Sequence, residues 1–276
     1  MIDVAVSALL RALCGYLSLS AVGHSLPSLT TPPHPPYGDP MLPLTRHGLR
    51  EMVIGTVILA AIALALAYLW WPLALLVLPI WLWLLAFFRD PERTVASEQH
   101  AMVSPADGKV SDITDVDSDL AGGPAVRVGI FLSVFNVHVN RAPCDGRITN
   151  VLYKQGKFIN AMSHSHASEQ NESNTLVISD AESNRPVAVV KQIVGLIARR
   201  IICSSKIGDV VKRGDRIGMI KFGSRTELYI PKWLAPEVKV TVGQTVRGAI
   251  DVIAILKNPV STTAPQPTDR AAHPVA

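Results

Sequence analysis

A glycine followed by a serine, Gly223-Ser224 within Lys221-Phe222-Gly223-Ser224-Arg225-Thr226, is the pair in this chain with the most chemistry open to it. On its own the dipeptide reads as a turn, because glycine tolerates positive φ and serine bonds its own backbone. The same pair can also break its own peptide bond. The serine hydroxyl attacks the preceding carbonyl and converts the amide to an ester, and glycine leaves the attack face uncrowded. Loss of the serine Cα proton then eliminates the ester, and the new N-terminus hydrolyses to a pyruvoyl group. Proton transfer on this scale needs side chains that can serve. Asp107 in Pro105-Ala106-Asp107-Gly108 and Asp145 in Pro143-Cys144-Asp145-Gly146 are carboxylates in identical contexts, and His138 lies in Phe135-Asn136-Val137-His138-Val139-Asn140. Each has a plain structural reading, an Asp-Gly hairpin turn or a hydrogen-bonded strand histidine, and pattern alone does not choose between the two aspartates.

The elements that must position these residues are legible from composition. The 276 residues are 49% hydrophobic and 17% charged with a formal net charge of +4, and much of the apolar excess sits in one block. From Met52 to Phe88 there is no charged residue, close to two membrane spans of ~20 residues. Trp70-Trp71-Pro72 lies near its middle, Arg46 and Arg50 precede it, and Arg89 and Arg93 follow it. This predicts a helical membrane hairpin over 46–93 with both ends on the cytoplasmic side of the cell membrane. A single tilted helix, or a hairpin entering one leaflet, is the alternative. Scattered basic residues argue against nucleic acid as a partner. Cys14, Cys144 and Cys203 lack metal or disulfide spacing, and His164 and His166 lack a third ligand, so no metal is expected. Residues 1–45, Pro-rich after Ser28, are read as a leader preceding a start at Met41, with a weak signal segment as the other reading.

Beyond Arg93 the composition changes to β-branched runs and turns, which predicts a mainly β domain over 94–257 and a disordered tail over 258–276. Two echoes stand out. Pro105–Val110 repeats as Pro143–Ile148, and Lys206–Asp215 repeats as Val238–Gly248. Evenly spaced valines and glycines predict a barrel-like or sandwich domain of interlocking hairpins with biotinyl- or lipoyl-like repeats. A loop with a short helix is expected over 154–170.

The apolar hairpin, SPADGKV (104–110), FNVHVNRAP (135–143) and FGSR (222–225) together resemble the phosphatidylserine decarboxylases, in particular the short bacterial class with a Gly-Ser self-cleavage site. The resemblance runs from about Arg46 to about Leu256. It implies a self-processing enzyme whose cofactor is a pyruvoyl group formed from Ser224, acting through a Schiff base on phosphatidylserine in a membrane. It also implies cleavage into a chain 1–223 and a chain 224–276 that stay folded together, with a homodimer open. It selects Asp107 over Asp145. Many relatives carry a second histidine three residues after the first, where this chain has Arg141. The expected roles are Asp107 as base for self-cleavage and His138 as proton donor to the carbanion left by CO2. Arg199, Arg200 and Arg225 are weaker candidates for the substrate phosphate or carboxylate. Two other functions stay open: a pyruvoyl decarboxylase of a soluble amino acid, and a membrane-anchored carrier or adaptor modified at a lysine such as Lys221.

Overall fold

The uncharged run folds as helix because its backbone groups have no other partner in an apolar setting. The computed structural model describes residues 44–156, 170–195, 200–221 and 224–258. The expected leader and tail, His164, His166, Arg199 and Gly223 lie outside them. Helix α1 (Leu49–Leu69) is 21 residues long, about 30 Å at 1.5 Å per residue. Trp70 is extended, Pro72 opens a 3-10 stretch over Trp71–Leu76, and α2 (Val77–Phe87) follows. The arms pack antiparallel. Trp81 Nε1 donates to Thr56 Oγ1 at 3.1 Å, Leu84 sits over Gly55, and the Phe88 ring fills the space a side chain at Gly48 would need. Thr45 N donates to Phe88 O at 2.8 Å and closes the base. Arg46–Leu69 is long and apolar enough to cross a membrane.

The rest is mainly β, with every strand pairing antiparallel. In chain order the strands are β1 (Ala101–Val103), β2 (Gly108–Ser118), β3 (Gly123–Leu132), β4 (Val139–Arg141), β5 (Gly146–Lys154), β6 (Ser173–Ser179) and β7 (Pro186–Val194). They continue with β8 (Arg200–Cys203), β9 (Val210–Val211), β10 (Arg216–Lys221), β11 (Ser224–Pro231), β12 (Pro236–Val238), β13 (Thr245–Val246) and β14 (Val252–Leu256). An eight-stranded sheet runs β13-β2-β3-β11-β7-β6-β5-β9, and two three-stranded sheets run β4-β10-β8 and β1-β14-β12. Ile130, Leu176, Ile178, Val190, Leu228, Ile217 and Ile253 form one core from all three sheets. Strand β11 lies in the centre of the large sheet, paired on one side with β3 and on the other with β7.

The echoes in the sequence are one structure built twice. β1 pairs with β14 as β4 pairs with β10, and both pairings slip register. Leu256 N donates to His100 O at 2.9 Å, and Ile220 N to His138 O at 3.2 Å. Val110 N donates to Gln244 O and its carbonyl accepts from Gly243 N, both at 2.8 Å; Ile148 does the same with Asp209 O and Gly208 N, again at 2.8 Å. Gly243 and Gly208 have φ of 90° and 96°, the left-handed conformation these matching clasps require. Between the halves the bonds are reciprocal: Val103 N to Pro143 O and Arg141 N to Pro105 O, both 2.9 Å, as a two-fold relation demands. The main sheet is correspondingly palindromic but stays open, ending in β13 and β9. The repeats therefore register an internal two-fold, and the resemblance to a closed carrier barrel is not carried further.

One half is continuous, β4 to β10; the other is split around it, β1 to β3 and β11 to β14. The chain crosses between halves through residues 133–138, and again between Lys221 at the end of β10 and Ser224 at the start of β11. These crossovers carry His138 and the Phe222-Gly223 step.

Candidate active site

Ser224 is the first residue of β11, so the strand ladder fixes it from both sides: it registers with Leu132 of β3 and Val194 of β7. It is 0% exposed, and its Oγ has no hydrogen-bond partner among the described residues. An orphaned buried hydroxyl costs about 1–3 kcal/mol and calls for a reason. Two residues along the same face, the Thr226 hydroxyl does have a partner. Asn140 Nδ2 donates to Thr226 Oγ1 at 3.1 Å, Gln192 Nε2 donates to Asn140 Oδ1 at 2.8 Å, and Asn174 Nδ2 donates to Gln192 Oε1 at 3.0 Å. This buried amide chain fastens β4 over the Ser224 face of β11. Gly218 permits it, because a Cβ there would stand 2.9 Å from Gln192 Nε2.

His138 stands two residues before Asn140, as Ser224 stands two before Thr226. Its ring is 0% exposed and lies against Phe87, centroids 4.3 Å apart. Nδ1 is 2.9 Å from Asn136 O. A carbonyl only accepts, so Nδ1 carries the proton and Nε2 is the basic nitrogen. Burial pushes the His138 pKa down to about 4; the Asn136 carbonyl and the Asp107 charge pull the other way, and Arg89 adds to the depression. The imidazole is neutral at pH 7.

Asp107 is 7% exposed and fully engaged. Arg93 grips both carboxylate oxygens at 2.5 and 2.8 Å, and Gly248 N donates to Oδ1 at 2.8 Å. Its charge reaches His138, but its own lone pairs are committed to a cation. Asp145, the same residue in the other turn, is exposed and accepts from Arg213 N at 2.6 Å.

The three arginine candidates separate. Arg199 lies outside the described residues, and Arg200 is exposed on the edge strand β8, in register with Lys221. Arg225 is corrected: adjacent strand residues face opposite ways, so its side chain leaves the Ser224 face altogether. It is 0% exposed, with Nη2 2.6 Å from Asp112 Oδ2, Nη1 2.7 Å from Ser111 Oγ and Nε 2.9 Å from Glu227 Oε1. All three of its nitrogens are engaged by protein groups on the face away from Ser224. Arg141 is also internal, donating to Asp90 Oδ1 and Gly214 O, both at 3.0 Å.

Sequence reasoning missed several residues of this site. Asn140 was in view, since it alternates with His138 on one short segment. Gln192 and Asn174 carry no local signal, because only the fold brings β6 and β7 to β4. Lys221 Nζ lies 2.6 Å from Glu51 Oε1, which ties the strand entering the Phe222-Gly223 step to the first turn of α1.

A family model for phosphatidylserine decarboxylase matches residues 81–254. Among curated proteins, the chain is 44% identical over 216 residues to one from Rhodopirellula baltica, covering 77% of this chain and 88% of that one. It is 48% identical over 186 residues to one from Carboxydothermus hydrogenoformans (67% and 85% covered) and 44% identical over 216 residues to one from Solidesulfovibrio magneticus (78% and 97%). All three carry the name phosphatidylserine decarboxylase proenzyme.

Proposed function

The chain belongs to the phosphatidylserine decarboxylase family, and from that premise we propose that it converts phosphatidylserine to phosphatidylethanolamine and CO2 after cutting itself at Gly223-Ser224. The observation that carries this reading is the orphaned Ser224 hydroxyl at the head of a central strand, two residues before the Thr226 to which Asn140, itself two residues after the neutral His138, is bonded.

Processing begins when His138 takes the Oγ proton and Oγ attacks the Gly223 carbonyl, so the 223–224 amide becomes an ester with a free amine at 224. Removal of the Ser224 Cα proton breaks the Cβ–Oγ bond. Oγ leaves as a carboxylate oxygen of Gly223, and residue 224 becomes a dehydroalanine. Tautomerisation to the imine and addition of one water release ammonia and leave the pyruvoyl carbonyl. This division of labour differs from the expectation in one respect: Asp107, held by Arg93 and Gly248 N, orients and charges the site, and His138 moves the protons. A histidine with a pKa near 4 stands at pH 7 in the neutral form that can take a proton, though as a weak base, and is a strong donor once loaded, which suits returning a proton to carbon.

When in place, the pyruvoyl group supplies a carbonyl electron sink for the substrate amine, so that the carboxylate can leave. The chain's own contribution is to seat it among buried neighbours, with Phe87 closing one side of His138. The fragments 1–223 and 224–276 stay together because β11 is sandwiched by β3 and β7, and β14 is paired with β1.

The membrane supplies the substrate. α1 exposes an apolar surface, Arg46, Arg50 and Arg89 stand at the base of the hairpin, and none stands at its Trp70-Trp71-Pro72 turn, which supports a cytoplasmic face. Phe135, 70% exposed, is bound to that base through Arg89 Nη2 to Phe135 O at 2.7 Å. A carrier reading fares worse, since Lys221 is buried in β10 and ion-paired. The test is intact mass of the purified protein beside Ser224→Ala and His138→Ala, followed by CO2 release from phosphatidylserine in mixed micelles. The expected result is two wild-type chains split at 223/224 with a pyruvoyl-blocked smaller one, an uncut Ser224→Ala protein without activity, and cutting slowed by roughly 10²–10⁴ in His138→Ala. A folded wild-type protein that stays whole would sink the reading.

A further inference from the structure

A buried and densely bonded charge sits one residue from the buried Ser224 hydroxyl that has no partner among the described residues. Arg225 follows Ser224 in β11 and points to the other face, where its guanidinium is bound by groups from β2 and from β11 itself. A slip in the β2–β3 register between Val110 and Asp112 turns Ser111 and Asp112 toward it together. Asp112 Oδ1 takes a further bond from Arg127 at 3.2 Å, and Glu227 Oε2 accepts from Tyr229 Oη at 2.7 Å. Gly129, paired with both Asp112 and Glu227, leaves the floor clear; a Cβ there would lie 2.1 Å from Arg225 Nη2. Burial opposes the Arg225 charge, but Glu227 and Asp112 outweigh it and hold its proton more tightly than usual. The processing chemistry uses none of this.

Cleavage creates a need for it. Before the cut, Ser224 is held by a peptide bond to Gly223. After it, residue 224 is a chain end at the centre of a sheet, and ends of strands fray. We propose that Arg225 is a positioning residue for the processed enzyme: its clamp to Asp112, Ser111 and Glu227 keeps the new N-terminus, and so the reactive carbonyl at 224, in register once the covalent tie is gone. This rests on the self-cleavage reading. It predicts an asymmetry in time. Weakening the clamp should spare processing and damage the decarboxylation that comes after it.

Arg225→Lys keeps the charge but loses the planar fork, and Gly129→Ala leaves the clamp residues themselves unchanged while pressing a Cβ on Arg225 Nη2 and Asp112 Oδ2. Each is prepared in the cleavable form and, with Ser224→Ala, in an uncleavable form. Hydrogen exchange over 224–231 is measured by mass spectrometry, with the extent of cleavage and kcat and KM on fully cut protein. Expected is near-complete cleavage, at least tenfold faster exchange of β11 in cut variants than in their uncut counterparts, and kcat down tenfold or more with KM within about threefold. Arg225→Lys should be milder than Arg225→Ala. The proposal is overturned if exchange rises equally in cut and uncut forms, if cleavage falls in step with kcat, or if cut variants match wild type. If Arg225 variants do not fold, Asp112→Asn is read by the same criteria. Failure of wild type to cut is scored separately and would refute the underlying reading instead.

Discussion

The turns at Pro105–Gly108 and Pro143–Gly146 share a sequence pattern and a backbone clasp, yet one is buried throughout in the candidate site and the other exposes its aspartate to solvent. The same holds for their companion histidines. His100 and His138 make equivalent carbonyl contacts, but His100 is exposed with φ of 56° and His138 is fully buried. The site takes its aspartate from one half and its histidine from the other. What breaks the symmetry is the segment leaving the hairpin, which has no counterpart in the repeat. Phe87 covers His138, Arg89 holds the Phe135 turn, Asp90 binds Arg141 and Arg216, and Arg93 grips Asp107. The two halves of a duplicated scaffold part company where a non-duplicated strap buries one aspartate and one histidine.

The comparison breaks most readily at the aspartates. Asp107→Ala leaves Arg93 buried without its partner, which should cost about 3–5 kcal/mol, whereas Asp145→Ala should cost no more than about 1 kcal/mol for an exposed bond. Urea unfolding in detergent, followed by tryptophan fluorescence, measures both; similar losses would mean the halves are not energetically distinct. Adding Arg93→Met to Asp107→Ala should recover part of the loss.

The histidines sharpen it through pH. His138 is depressed in the fold to about 4 from an ordinary value near 6.5, so below 6.5 the unfolded chain binds a proton that the folded one refuses. Stability is therefore full above about pH 6.5 and declines as pH falls toward 4, by up to about 3 kcal/mol from this residue. His138→Gln should flatten that slope, and His100→Gln should leave it intact. A smaller effect is expected at the amide chain: Thr226→Val strands the Asn140 amide, for about 1–2 kcal/mol and a slower cut, because β4 loses its tie to β11. A Thr226→Val protein processed at the wild-type rate would show that this tie does not position His138.

Much of this molecule was determined locally and could be read in the chain. An uncharged run from Met52 to Phe88 broken by Trp70-Trp71-Pro72 reads as two helical arms, and two Pro-x-Asp-Gly turns with two matching valine-glycine stretches read as equivalent hairpins, because period, charge and turn chemistry act over a few residues. Strand alternation even held the answer for Arg225, since a strand cannot turn consecutive residues to one face. The choice between Asp107 and Asp145 was of another kind. Their sequence contexts are alike, and only the resemblance separated them. Nor does anything near Gln192 or Asn174 announce a buried amide chain reaching β4. These were decided by tertiary structure alone, because desolvation and charge pairing depend on which distant segment covers a residue, and here one strap from the hairpin covers one aspartate and one histidine.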